Sequence, residues 1–405
     1  MATALLCATV AGCAVGAGAA PAASPSVTNV TASAPAAAPT TPTTPTTHQP
    51  ACTSAQDVLT FRGDATRAAR MPGPVPAEGP AIKWQVQAGG PLHSSPAVVG
   101  ATVIQGTASG TLLALDLETG AERWHANLGG ALTSPTVVGD LVIVGTTGGA
   151  VAALDRSNGT VRWSADVGGK VRGAPAAVDD SVLVASTGGD VTALAVADGR
   201  TRWTTHLRGE IERSVAIADG VVVVPLQPGT LVALDLATGA VRWRAAVAAT
   251  GGVGTPAIDD GIVLTGTGLD SGAPGDRGIV AVDLASGAVA WRWDSPDDEI
   301  VYTPALADER AFVVSERGFV AAIELHTGRD AWRTDVAGPI EANPASADWA
   351  VVVADDAGTV TALDRSTGEM RWTAPIEGTP YAAVITCGVV LVPTSLGLLT
   401  AIGQP

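Results

Sequence analysis

Short apolar runs, each bounded by glycine, proline, aspartate or threonine, follow one another along residues 81–402. One unit comprises residues 91–100, 101–109, 110–120 and 121–128, and its runs are rich in valine, leucine, alanine and threonine. Runs of this length and composition, separated by turn residues, are typical of neighbouring antiparallel β-strands. The pattern therefore predicts a four-stranded antiparallel sheet for each unit.

One tryptophan in each unit reveals the length of the repeat. Eight tryptophans follow at intervals of 40, 39, 40, 40, 48, 41 and 40 residues: Trp84, Trp124, Trp163, Trp203, Trp243, Trp291, Trp332 and Trp372. A repeat of this length is the sequence signature of a β-propeller, in which each unit forms one blade. We expect these indoles to dock neighbouring blades against each other, because a ligand-binding role would require eight equivalent sites.

The two ends of the repeat region complement each other. Residues 397–402 match the third run of a unit, and the chain then ends without the tryptophan-bearing fourth run. That run is found at the other end, in residues 81–86. Pairing the first strand with the last three would remove the exposed edges of an open sheet. The sequence predicts an all-β, eight-bladed propeller of four-stranded antiparallel blades, closed by the N-terminal strand.

The N-terminal region is typical of a targeting sequence followed by a tether. Residues 1–20 are apolar and contain a lipobox-like sequence that ends at Cys13, which predicts a signal peptide and lipidation of Cys13. The alternatives are an ordinary cleaved signal, giving a secreted protein, or a cytoplasmic protein. Residues 21–50, rich in alanine, proline and threonine, predict a disordered tether. A lead-in segment, 51–80, then precedes the propeller, 81–405.

Charge and cysteine content narrow the possible partners. The formal net charge is −16, with only 23 lysines and arginines, which argues against nucleic-acid binding. We expect a monomer that contacts a membrane only through its lipid. Cys52 and Cys387 are the only cysteines beyond the signal region, so they either form a disulfide outside the cytoplasm or remain two free thiols.

A recurring motif supplies a family resemblance. The pattern Ala-x-Asp-x-x-Thr-Gly-x-x-x-Trp at 114–124 and 233–243 resembles the tryptophan-docking motif of pyrroloquinoline-quinone (PQQ) type propellers. This family includes quinoprotein dehydrogenases and BamB-like lipoproteins of outer-membrane assembly. The resemblance implies, for the dehydrogenases, a quinone held between a tryptophan and a disulfide of adjacent cysteines, with Ca²⁺ bound by Glu, Asn and Asp. Adjacent cysteines do not occur here, so the chain resembles the BamB-like proteins, and we expect neither catalysis nor a bound metal or cofactor.

The loops before the first strand of each blade carry the candidate binding residues. In a propeller this strand borders the central channel, so the residues just before it should surround one mouth. Those residues are His93, Arg172, Glu212, Arg213, Tyr302, Glu341, Asn343 and Tyr381. Polar and aromatic groups that converge on a concavity predict a ligand or peptide site. The alternative is that the charged members only neutralise one another in a solvated funnel.

These features favour a non-catalytic scaffold for a protein or peptide partner in the cell envelope. The alternatives are a receptor for a quinone or carbohydrate at the channel mouth and a dehydrogenase that uses PQQ with Ca²⁺. Asp270 and Asp276 lie in a glycine-rich loop that is either a Ca²⁺ site or plain surface. Trp293 and Trp349 fall outside the repeat and are either contact residues or packing residues.

Overall fold

The computed structural model describes residues 27–28, 56–269 and 275–404, which fold into a ring of eight antiparallel sheets. The signal peptide, Cys13, Cys52 and most of the expected tether lie outside these residues. None of the helical segments within the described residues has the length and apolar character needed to cross a membrane.

Two strands precede the first complete blade, namely β1 (Val27–Thr28) and β2 (Ala81–Gln87). Blade 1 contains β3 (Ala97–Val99), β4 (Thr102–Gly106), β5 (Thr111–Asp116) and β6 (Glu122–Asn127). Blade 2 contains β7 (Thr136–Val138), β8 (Leu141–Gly145), β9 (Ala150–Asp155) and β10 (Val161–Asp166). Blade 3 contains β11 (Ala176–Val178), β12 (Ser181–Ala185), β13 (Asp190–Ala195) and β14 (Thr201–His206). Blade 4 contains β15 (Ala216–Ala218), β16 (Val221–Leu226), β17 (Thr230–Asp235) and β18 (Val241–Ala246).

Blade 5 contains β19 (Gly252–Val253), β20 (Ala257–Asp259), β21 (Ile262–Leu269), β22 (Gly278–Asp283) and β23 (Val289–Asp294), followed by a 3₁₀ turn at Pro296–Asp298. Blade 6 contains β24 (Ala305–Ala307), β25 (Arg310–Val314), β26 (Phe319–Glu324) and β27 (Asp330–Asp335). Blade 7 contains β28 (Ala345–Ala347), β29 (Ala350–Asp355), β30 (Thr359–Asp364) and β31 (Met370–Pro375). Blade 8 contains β32 (Val384–Thr386), β33 (Val389–Pro393) and β34 (Leu398–Gly403).

The N-terminal strand completes the eighth blade. β2 pairs antiparallel with β34, from Ala81 opposite Gly403 to Gln87 opposite Leu398. β1 pairs with the outer side of β2. The predicted eight-bladed ring and its mode of closure are therefore confirmed.

Each repeat tryptophan docks its blade onto the following one. Seven of the indole N–H groups donate to a backbone carbonyl of the next blade, that of the second residue in the turn between its third and fourth strands. The eighth, from Trp372, donates to the carbonyl of Pro76. The donor–acceptor distances are 2.7–3.1 Å. Each of the seven indole rings lies against the glycine that ends the turn of the next blade. For example, a Cβ added to Gly159 would stand 2.5 Å from the indole of Trp124. Glycine is needed there both for this contact and for the φ of +73°. Trp372 uses Pro76 because blade 8 has no turn between β34 and β2.

In six of the seven described turns between the third and fourth strands, an acidic residue at the first position organises the turn, whereas blade 3 has Ala195 there. In the turn after β5, Asp116 accepts hydrogen bonds from the Thr119 backbone and hydroxyl, and binds the Arg123 guanidinium at 2.7 Å. The same arrangement recurs after β17, where Asp235 binds Thr238 and Arg242. The arginine directly precedes the docking tryptophan, so one ion pair closes the turn and positions the strand that carries the indole.

These turn carboxylates make the stability of the folded state depend on pH. The bonds from serine and arginine lower the pKa of Asp155 to about 2, and the bonds from arginine and threonine do the same for Asp235. A lowered pKa in the folded state stabilises the fold above the unfolded pKa of about 3.9, and the contribution is lost as the pH falls towards 2. We expect the melting temperature to fall between pH 4.5 and 2, and Asp155→Asn to flatten part of that fall. Thermal unfolding measured across this pH range tests the prediction, with Glu377→Gln at an exposed site as the control. If the melting temperature of Asp155→Asn falls with pH as steeply as that of Glu377→Gln, the prediction is wrong.

Residues 56–76, here called the belt, run around the end of the channel opposite the loops that precede the first strands. Backbone hydrogen bonds join the belt to seven blades through Val98, Val137, Ile217, Ile258, Leu306, Ser346 and Cys387. The remaining blade, blade 3, is held through the carbonyl of Pro175 by Arg67. The belt thus contacts every blade.

Two buried arginines anchor the belt inside the ring. Arg62 donates to the carbonyls of Arg67, Thr303 and Pro304, and Arg67 donates to those of Phe61, Ala174, Pro175 and Val215 and to the Thr60 hydroxyl. Burial lowers the pKa of Arg62 to about 9 and that of Arg67 to about 10, so both remain charged at neutral pH. Because their acceptors belong to blade 6 on one side and to blades 3 and 4 on the other, the two side chains span the channel between these blades.

The structure shows the contacts of three residues outside the repeat pattern, Trp293, Asp276 and Cys387. Trp293 is buried, packs edge-on against Phe319 and donates a 2.7 Å hydrogen bond to Asp330. Asp276 accepts hydrogen bonds from the backbone of Ala249 and Thr250, while Asp270 lies outside the described residues. The pairing of Cys52 with Cys387 stays a prediction, since Cys387 is disulfide-bonded but Cys52 is not described.

Candidate binding cup at the channel mouth

The loops that lead into the first strands converge on a single cavity. All eight predicted mouth residues line it: His93, Arg172, Glu212, Arg213, Tyr302, Glu341, Asn343 and Tyr381. The cavity has a volume of about 330 Å³, within the lower range of small-ligand pockets. Since the belt closes the channel from the other end, we call this cavity the cup.

Hydroxyl groups hold the wall of the cup together. The second residue before the first strand of a blade is often serine or threonine, and its hydroxyl forms a hydrogen bond with the backbone of an adjacent blade. Ser214 accepts from the Ala174 N–H at 2.9 Å, Thr303 donates to the Thr255 carbonyl at 2.9 Å, and Ser95 donates to the Ala382 carbonyl at 3.0 Å. The predicted mouth residues do not include these hydroxyls, although the hydroxyls recur in the sequence at the repeat period. They fix the spacing of the loops that carry the mouth side chains.

Phe61 of the belt forms the floor. Its side chain is 5% exposed, lines the cavity, and packs with Ala174, Ala382 and Tyr381. The Arg67 guanidinium lies 5.9 Å from the centre of its ring. The cup is therefore a blind cavity, with an aromatic base supported by a buried cation.

The charged residues of blades 3 and 4 form one side of the cup. Arg172 and Glu212 approach to 3.8 Å, and their side chains are 52% and 34% exposed. An exposed pair at this distance contributes little to stability. Arg213 also has an interaction of its own. The prediction that the charged mouth residues only neutralise one another therefore stays open, with Arg172 and Glu212 as the one described pair between them.

The opposite side, on blades 6 to 8, is different in character. The described residues provide no hydrogen-bond or ion-pair partner for the side chains of Tyr302, Glu341, Asn343 or Tyr381. Burial raises the pKa of Tyr302 to about 12, assisted by the Glu341 carboxylate, and burial also raises the pKa of Tyr381. Both phenols are therefore neutral hydrogen-bond donors at any ordinary pH.

The lining does not fit the quinone site of the dehydrogenases. Of the residues described around the cup, none is a tryptophan or a cysteine, so the two planes that would hold the quinone are missing. No group of three or more metal-binding side chains is found in the described parts of the chain. We therefore derive no redox step at this site.

Comparison with known proteins agrees with the geometry of the ring. A family described as "Outer membrane protein assembly factor BamB" matches residues 77–135, 129–270 and 275–403. No match was found among curated protein sequences.

Three solved structures illustrate the range of similar folds. BamB from Moraxella catarrhalis is 19% identical, with a TM-score of 0.65, over 80% of this chain and 100% of that one. The computationally designed Ika8 protein is 18% identical, with a TM-score of 0.67, over 81% and 98%. The quinohemoprotein alcohol dehydrogenase from Comamonas testosteroni is 13% identical, with a TM-score of 0.66, over 87% and 82%. At these identities the similarity shows the fold alone.

Proposed function

The chain belongs to the family described as outer membrane protein assembly factor BamB, and from that membership we propose that it is a non-catalytic scaffold presenting the cup to a protein or peptide partner in the cell envelope. Lipidation of Cys13 and an extracytoplasmic location belong to the same proposal and derive from residues 1–20. The cup is the observation that carries it. Its blade 6–8 side holds polar and aromatic side chains with no partner among the described residues, as a binding surface requires.

Reversing the charge of Glu341 tests the scaffold. Glu341 is exposed within the cup, so Glu341→Lys should preserve the fold while placing a cation where a bound partner would meet a carboxylate. We expect at least a tenfold loss of the partner that co-purifies with the crosslinked full-length chain from host membranes, measured by quantitative mass spectrometry. Glu369→Lys, exposed in a turn at the opposite end of the ring, serves as the matched control. Equal recovery from both variants would refute the proposal.

The blind floor favours a second candidate, a receptor for a small molecule such as a quinone or carbohydrate. A ligand present at 100 times its Kd would stabilise the folded state by about 2.7 kcal/mol. Thermal-shift measurements with quinones, PQQ plus Ca²⁺, and cell-envelope sugars distinguish the two candidates. The scaffold predicts no shift, whereas a clear shift that Glu341→Lys abolishes would replace the scaffold by the receptor.

A further inference from the structure

The belt forms backbone hydrogen bonds with the first strands of the blades, but it passes over that of blade 3. In six blades the middle residue of the first strand donates its N–H to a belt carbonyl: Val98, Val137, Ile217, Ile258, Leu306 and Ser346. In blade 8 the donor is Cys387, directly after β32. Between blades 2 and 4 the belt turns into the channel, where Phe61 forms the floor of the cup. Among the described first strands, β11 is therefore the one that the belt leaves open.

Ala177 carries the open backbone groups. It occupies the middle of β11 and lies opposite Val182, as Val98 lies opposite Val103 in blade 1. Alternate residues of an antiparallel strand direct their N–H and C=O groups to opposite sides. The two groups of Ala177 therefore face the side on which Val98 exchanges two hydrogen bonds with Val58 of the belt. Neither group of Ala177 bonds to another residue in the described ranges.

An apolar cavity adjoins this open strand edge. Ala177 lines it together with Leu59, Val138 and Val178, and its volume of about 520 Å³ lies within the range of ligand pockets. The middle residues of the six paired first strands are at most 3% exposed, whereas Ala177 is half-exposed and Leu59 is 43% exposed. We call this the belt cavity. It combines apolar surface with backbone groups that can accept a further strand.

The charges around the belt cavity favour a basic occupant. The charged residues that line it are Asp57, Asp64, Asp179 and Arg156. Asp64 acts electrostatically on the buried Arg67, and Arg156 lies 3.7 Å from Asp140. Asp57 and Asp179 form no ion pair within the described parts of the chain. A lysine or arginine in a ligand would therefore complement this rim.

We propose that the belt cavity is a second binding site, at the opposite end of the ring from the cup, for an extended peptide segment of a protein partner. The segment carries apolar side chains and a basic residue, and its backbone pairs with Ala177. It takes the place that the belt leaves vacant between Leu59 and Ala65, and so continues the interface that the belt forms with β7 and β15. In strand addition of this kind, backbone hydrogen bonds supply affinity and side-chain contacts supply specificity. The inference goes beyond the proposed function, because it does not depend on the cup.

Peptides that differ in backbone N–H groups test the pairing. The probes are acetylated and amidated Lys-Val-Thr-Val-Thr and the same peptide with its valine and threonine backbone nitrogens methylated, so that these cannot donate. Titration calorimetry on the full chain is expected to show at least tenfold weaker binding of the methylated peptide. A third peptide with glutamine in place of lysine should bind severalfold more weakly than the first. Equal binding of the first two peptides, or binding of neither, would overturn the inference.

Ala177→Pro removes the open N–H from the protein. Proline is tolerated where the N–H of a strand residue lies outside the ladder, as that of Ala177 does towards β12, so the melting temperature should fall little. Binding of the unmethylated peptide should weaken at least tenfold. Unchanged binding would show that the peptide lies elsewhere, and the belt cavity would not be the site.

Asp179→Asn provides a second variant that leaves the strand unaltered. Asp179 has a φ of +53°, which asparagine also adopts readily, and Asp219 occupies the equivalent turn of blade 4 with a φ of +49°. Asp179→Asn should weaken binding of the lysine peptide severalfold, while the matched control Asp219→Asn should leave it unchanged. Equal effects of the two variants would contradict the assigned site.

Hydrogen exchange on the full chain measures whether the edge is open. The Ala177 amide should exchange rapidly in the free protein and become protected when the lysine peptide is added, whereas the amides of Val137 and Ile217, which bond to the belt, should be protected in both states. Protection of Ala177 before any peptide is added would mean that another segment of this chain already occupies the edge. That result would overturn the inference.

Discussion

Replacing Arg67 with methionine is expected to lower the free energy of unfolding by about 3–5 kcal/mol. The side chain is fully buried and donates to four carbonyls and one hydroxyl drawn from the belt and from blades 3 and 4. Methionine fills similar space but donates nothing, so these oxygens would lose their partners in a site that water does not reach. Each buried acceptor left unpaired costs roughly 1–3 kcal/mol, part of which is offset because a charge no longer has to be buried.

Urea unfolding followed by tryptophan fluorescence measures this change. Arg200→Met is the matched control, because the Arg200 side chain is 87% exposed and its pair with Asp198 spans 3.3 Å. We expect the control to remain within about 0.5 kcal/mol of the parent chain. If the free energy of unfolding falls as little in Arg67→Met as in Arg200→Met, the belt does not anchor the ring.

Replacing Trp372 with alanine should destabilise the fold by about 3–5 kcal/mol, the usual cost of removing a large buried aromatic side chain. Trp372 is 6% exposed, packs in the largest apolar cluster, and joins blade 7 to the lead-in segment through its 2.7 Å bond to Pro76. The substitution removes the docking contact at the point where the ring closes.

Two further variants separate the contributions of Trp372. Trp372→Phe keeps most of the apolar packing and removes the N–H donor, so its cost should lie near 1 kcal/mol. Trp349→Ala removes a half-buried indole that lies 5.7 Å from the Arg371 guanidinium, and we expect it to cost less than Trp372→Ala. Differential scanning calorimetry provides the comparison. A loss from Trp349→Ala as large as that from Trp372→Ala would show that docking adds nothing beyond ordinary packing.

The ring was predictable because its information is local and repeated. Four strands and one tryptophan recur in each unit, and a turn carboxylate recurs in most, so the spacing alone revealed eight blades and the shared strand β2. The belt was not predictable in the same way. Arg62 and Arg67 bind main-chain carbonyls up to 242 residues away, and a carbonyl carries no sequence signature.

The cup was predictable in position and less so in chemistry. A residue placed just before the first strand of a blade must face the channel mouth, which is why the eight predicted side chains meet in one cavity. Phe61 was missed as the floor, because a lead-in segment has no period from which its path can be read.

The order of contacts along the belt bears on how the chain is made. Successive belt residues meet successive blades: Val58 meets blade 1, Leu59 blade 2, Ala65 blade 4, Thr66 blade 5, Ala68 blade 6, Ala69 blade 7 and Gly73 blade 8. Domains begin to fold during synthesis, from the N-terminal end. Each new blade that leaves the ribosome or translocation pore can therefore join the next free position of a segment already made. The long-range pairing of β2 with β34, slow because of the chain length it encloses, then becomes the last step of an assembly that has been guided one blade at a time.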